Sequence, residues 1–104
     1  MVNSPDQEVK EILNLQERIG RRLHELRFVD GEAEGEIIHH LAEIAVLGQK
    51  IATRSLPQFL SLTADQEDKL GDLAVDIQTD LGEIKEAISD MEASLVKLVN
   101  FLNP

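Results

Sequence analysis

The last forty residues carry an apolar repeat that few folds can accommodate. With Leu70 set as a d position, the a and d sites fall on Leu70, Ala74, Ile77, Leu81, Ile84, Ile88, Met91, Leu95, Leu98 and Leu102, every one apolar. The 3,4 spacing never slips and no proline interrupts it, which is the pattern of one long helix whose stripe faces other helices. At 1.5 Å per residue, a helix over about 64–102 runs roughly 60 Å.

The rest of the chain is helical by the same reasoning. Leu, Glu and Ala are abundant, while the alternating β-branched runs and frequent turn residues of a sheet are missing. The class is all-α, and 104 residues make one domain, 1–104. Three Phe and no Trp or Tyr leave an aliphatic core.

The first helix, about 5–28, opens at Ser4-Pro5-Asp6-Gln7, where Ser4 caps, Pro5 suits the first turn and Gln7 closes a capping box. Val9, Ile12, Gln16, Ile19, Leu23 and Leu26 form its stripe, with Gln16 the one polar position. Val29-Asp30-Gly31 is a short turn with Asp30 as a cap, so the second helix, about 32–54, returns antiparallel. Its stripe is Ile37, Leu41, Ile44, Gly48 and Ile51. Ala45, Gly48 and Ala52 form a small-residue face fit for close helix approach. Pro57 pushes Leu56 out of the α region and ends this helix. Residues 55–62 then form a connector whose Leu56, Phe59, Leu60 and Leu62 plug one end of the bundle. Thr63 to Glu67 repeats the capping logic of Ser4 to Glu8, without a duplication beyond it.

These lengths conflict, because two helices of about 35 Å cannot cover one of about 60 Å. The stretch from Ile84 onward then projects past the hairpin, with Ile84, Ile88, Met91, Leu95, Leu98 and Leu102 as an interface. Leaving such residues wet forgoes about 1.5–3 kcal/mol each. The expected architecture is therefore a helical hairpin plus one long coiled-coil-like C-terminal helix, assembled into a multi-helix bundle as a homodimer or higher homo-oligomer. The alternative is a monomeric four-helix bundle with a break near Gly82. The heptad phase runs through Gly82 unchanged and no turn sequence surrounds it, which favours the continuous helix.

Charge and composition narrow the function classes. The net charge is −10, and residues 63 to 104 hold ten acids against three lysines, a surface that repels phosphate backbones and anionic lipid. Neither nucleic acid nor membrane is an expected partner. The start MVNSPDQEVKE is polar and acidic, unlike a secretory signal, and the chain has no cysteine, which fits a cytoplasmic protein. Arg18, Arg21, Arg22 and Arg27 cluster late in the first helix, where Arg22 and Arg27 reach acids such as Asp80 or Glu92 on a neighbouring helix.

No catalytic signature is present. Ser4, Ser55, Ser61, Ser89 and Ser94 have no histidine placed near them and no Gly-rich elbow, and no glycine run resembles a phosphate loop. Ala42 and Glu43 follow the histidines where a histidine phosphotransfer domain has a lysine and a glycine. Glu83 and Glu86 lie on the outer face of the heptad, not inward around a metal. The chemistry-bearing constellation is Glu36, His39, His40 and Glu43 in the second helix. Glu36 and His39 have the i, i+3 spacing of carboxylate-bundle metal sites, and His39 and Glu43 are one turn apart. Helical phase places Glu36, His39 and Glu43 outward with His40 flanking the core, so exposed helix pairs are the expectation and a metal or small-ligand site the alternative. No cofactor is expected. The chain reads as a small acidic helical protein-protein interaction module, such as an adaptor, assembly or export chaperone, or regulator, and not as an enzyme.

Overall fold

A computed structural model describes residues 5–104, with side chains from Gln7 onward. The expected Ser4 cap lies outside the described residues. The elements are α1 (Pro5–Glu25), α2 (Gly31–Lys50), a π-helical turn (Ile51–Ser55), α3 (Leu56–Ser61) and α4 (Glu67–Leu102). The described residues contain no strand.

α4 is continuous through Gly82, so the four-helix alternative with a break there does not hold. Its 36 residues span about 54 Å at the standard rise, matching the 55 Å long axis of the molecule. The hairpin covers it after all, because the second helical arm does not stop at Arg54. Leu56 stays αR at φ −68°, ψ −46°, and donates its N–H to the Ile51 carbonyl, five residues back. That widened turn lets the chain carry Pro57 in the first turn of α3 instead of breaking at it. The arm runs from Gly31 to Ser61, and the expected 55–62 connector shrinks to residues 62–66. Leu56, Phe59 and Leu60 lie exposed on α3 and do not form the expected plug. The half of α4 after Ile84 does not project: Met91 belongs to the core, and Phe101 meets the Phe28 ring edge-on at 5.4 Å.

The turn between α1 and α2 is built by hydrogen bonds the sequence only half announces. α1 ends at Glu25, short of the expected Phe28. Arg27 takes the left-handed conformation at φ 63°, its N–H donates to His24 O at 3.0 Å, and Phe28 N–H donates to Leu23 O at 3.0 Å. This is the Schellman pairing, and its hydrophobic contact is supplied by Phe28 and Leu23, both buried in one cluster. Asp30 caps α2 as expected, its Oδ1 accepting from Ala33 N–H at 3.2 Å.

α2 lies between α1 and α4. Ala33, Ile37 and Leu47 are buried on one side, while Ala42 and Val46, about 180° round the helix, are buried on the other. Leu23, Phe28, Ala33, Ile37 and Met91 form the central cluster, with Ile19, Ile38, Ile44, Leu95 and Leu98 against it. The expected small-residue face is not used: Ala45 and Ala52 are exposed, and a Cβ at Gly48 would meet nothing within 4 Å. The close approach falls on Gly20 of α1, where a Cβ would sit 3.3 Å from Ile38 Cδ1.

Candidate interaction face

Along α4 the buried residues are Asp80, Ala87, Met91 and Ser94, with Leu70, Leu73, Ile77, Ile84, Leu95 and Leu98 half-buried. The inward rows are therefore 70/77/84/91/98 and 73/80/87/94. The second row lies one residue before the apolar row 74/81/88/95/102. The two rows share the Leu70-to-Leu98 row and point about 100° apart. α2 takes the row that contains Asp80 and Ser94, and the all-apolar row is left outside except at the half-buried Leu95: Leu81 is 53% exposed, Ile88 46% and Leu102 48%.

Polar partners explain this choice. Asp80 is buried but reaches Lys50 at the end of α2, with Nζ 3.2 Å from Oδ2 and 3.4 Å from Oδ1. The pair fixes α4 against α2 at mid-length. At the other end, Lys97 lies 3.7 Å from Asp30, between exposed groups. The expected bridges from Arg22 or Arg27 to Asp80 or Glu92 do not form: Arg22 turns to Glu25 at 3.6 Å within its own helix, and Arg21 to Glu17 at 2.7 Å.

With α2 in the middle, α1 and α4 flank two unlike edges of the layer. On one edge an open groove of about 450 Å³ is floored by Ile37 and Leu41 and walled by Leu15, Ile19, Leu23 and Leu26 of α1 and by Leu95 and Leu98 of α4. Arg18 and Arg22 line its α1 wall. Leu95 belongs both to this wall and to the outer α4 row, so groove and row form one apolar surface running through Ile88 and Leu81. Of the expected interface residues, Ile88 and Leu102 are exposed on it, Ile84, Leu95 and Leu98 are half-buried, and Met91 is inside the chain's own core.

The opposite edge is polar. Gln16 of α1 meets His39 there, Nε2 to Nδ1 at 3.3 Å. His40 lies between Glu43, 3.7 Å from its Nδ1, and Asp90 of α4, 3.9 Å from its Nε2. Farther along, Arg54 bridges to Glu8 at 3.1 Å. His39, His40 and Glu43 each offer a ligand atom within 4.8 Å of the others, while Glu36 is not part of the group. The sequence reading missed Asp90, which arrives only through the antiparallel pairing of α2 with α4. Gln16 was visible as the lone polar residue on the α1 stripe, but its partner was not.

Comparison with family models, curated proteins and solved structures finds no match. No helix among the described residues is long and apolar enough to cross a membrane.

Proposed function

We propose that this chain is a small helical protein-protein interaction module of the cytoplasm, an adaptor, chaperone or regulator in type, that works as a homodimer joined through the apolar edge of its three-helix layer. The observation that carries the reading is the outer row of α4, apolar at every position and continuous with the groove between α1 and α4. The chain as a whole also exposes more surface than a compact monomer. The accessible surface of 7395 Å² exceeds by about 1,500 Å² what a compact monomer of this mass exposes. A standard interface takes about 800 Å² per partner. The radius of gyration, 16.8 Å, likewise exceeds the ~13 Å of a compact domain of this length.

A second copy suits the charge pattern as well. Arg18 and Arg22 stand beside the groove, and the outer row of α4 carries Glu92 next to Ile88 and Leu95, so a partner's α4 laid into the groove sets acid against arginine. Each copy offers both row and groove, so a twofold arrangement makes the contact twice and closes the pair. Light scattering after size exclusion, detected by refractive index because the chain lacks Trp and Tyr, tests the dimer. A mass near twice 11.6 kDa is expected. A monomer at every concentration overturns the reading.

A further inference from the structure

We propose that His39, His40 and Glu43 form a binding site for a divalent transition metal of the zinc type on the polar edge of the layer, held in shape by Asp90 and Gln16. The proposal is independent of the dimer. Three observations meet at this point. First, the ligand atoms of the three residues lie within 4.8 Å of one another, and ligands of a tetrahedral zinc stand about 3.4 Å apart, so small side-chain rotations close the set. His39 and Glu43 are one turn apart at i, i+4, and His40 and Glu43 at i, i+3, which puts all three within reach of one ion.

Second, His40 Nδ1 is buried and has no hydrogen-bond partner. It faces Glu43 Oε1 at 3.7 Å, too long for a hydrogen bond and close to the separation of two ligands on one metal. A buried ring nitrogen aimed at a carboxylate without bonding to it is costly as it stands, and a shared cation satisfies both groups.

Third, each imidazole has a polar neighbour on another helix at its remaining nitrogen. If His40 ligates through Nδ1, its Nε2 faces Asp90 Oδ2 at 3.9 Å, longer than a hydrogen bond, and a side-chain shift of under about 1 Å closes this into the carboxylate-histidine-metal arrangement that orients a ligand ring. His39 Nδ1 meets the Gln16 side-chain amide at 3.3 Å, and with its oxygen turned inward that amide accepts the Nδ1–H and frees Nε2 for the metal. Two imidazoles and one carboxylate, with no thiolate in the chain, match zinc and its neighbours better than calcium or magnesium, which prefer all-oxygen sites. Three protein ligands leave a coordination position for water or for an anionic group of a partner.

Isothermal titration of the whole chain with zinc chloride, together with thermal unfolding with and without the ion, tests the site. One ion per chain and a raised Tm are expected. His39→Ala and His40→Ala should each abolish the heat. Asp90→Asn, which removes an orienting group and no ligand, should weaken binding about tenfold. His24→Ala on α1, remote in sequence from the set, should change nothing. Cobalt loaded in place of zinc should give the intense visible absorption of a tetrahedral site, a signature that binding by surface carboxylates does not produce. Absence of heat overturns the proposal. So does binding that survives in the His39→Ala/His40→Ala double variant, since the ion would then sit on the acidic surface; circular dichroism confirms that each variant is folded.

Discussion

Lys50 Nζ lies 3.2 Å from Asp80 Oδ2, and Asp80, at 5% exposure, sits in the middle of the seam between α2 and α4. A charge so placed disfavours any sliding of α4 by one turn, which would set Asp80 against apolar α2 side chains. The pair therefore acts as a register mark more than as a source of net stability, because desolvating two charges offsets most of their attraction. Lys50→Met should destabilise the fold by about 2–3 kcal/mol by leaving Asp80 buried without its cation, somewhat below the fully buried case because Lys50 is partly exposed. The double variant Lys50→Met/Asp80→Leu should recover most of that loss. Urea unfolding of the two singles and the double gives the coupling directly. Additive effects would show that the pair does not fix the seam.

The dimer is best tested away from the core. Leu95 packs against the central cluster as well as facing the groove, so Leu95→Asp damages fold and contact together. Ile88, 46% exposed, lies on the outer row and is not among the residues packed against the central cluster. Ile88→Asp should leave the helical circular dichroism intact and weaken self-association on the order of a hundredfold, the effect of about 3 kcal/mol at an interface centre. Unchanged mass in light scattering would place any dimer contact elsewhere.

How much of this was legible in the sequence depends on how local each signal is. The continuity of α4, the Asp30 cap and the antiparallel arms follow from periodicity and capping chemistry, which act within one or two turns. The choice of seam does not, because apolarity favours the row of Ala74, Leu81, Ile88, Leu95 and Leu102. The chain instead turns inward the half-buried Leu73 and the buried Asp80, Ala87 and Ser94 beside the shared row, with Lys50 ion-paired to the acid. Nothing within α4 announces that lysine. The end of α1 is not legible because the left-handed position falls on Arg27, where glycine is the usual signal. Pro57 misled for a related reason, since the π turn before it absorbs the ring. In the polar cluster His39, His40 and Glu43 were readable from helical spacing, whereas Asp90, 47 residues beyond Glu43, needed the fold.

Gly82 sits mid-helix with open space where its Cβ would be. Gly82→Ala should therefore stabilise the protein by close to the intrinsic helix preference, about 1 kcal/mol, raising Tm by roughly 4–8 °C. Gly20→Ala provides the contrast: its Cβ would stand 3.3 Å from Ile38 Cδ1, so repacking of that side chain consumes part of the same gain. Differential scanning calorimetry of both variants checks the order. A Gly82→Ala protein less stable than the parent would mean that the helix does not run through this position.

The turn into α4 makes a prediction in pH. Thr63 Oγ1 donates to Asp65 Oδ1, and this bond, with a smaller backbone contribution, holds the Asp65 carboxyl below the usual aspartate range. Because the folded value is depressed, the carboxylate adds to stability at pH above its unfolded-state value and loses that contribution as pH falls through the folded one. Thr63→Val removes the hydroxyl, so the Asp65 carboxyl should titrate at higher pH, nearer an ordinary aspartate, in a carbon-detected NMR titration of the side-chain carboxyl. Any stability deficit from losing this bond should be present at neutral pH and vanish in acid, once the carboxyl is protonated in both proteins. The same hydroxyl also contacts Gln66 Oε1 at 3.0 Å, with Thr63 N–H donating to that oxygen at 2.9 Å. Loss of the hydroxyl contact to Gln66 adds a pH-independent part, which Thr63→Ser, retaining both contacts, should spare. An unshifted Asp65 titration in Thr63→Val would assign the low value to the backbone alone.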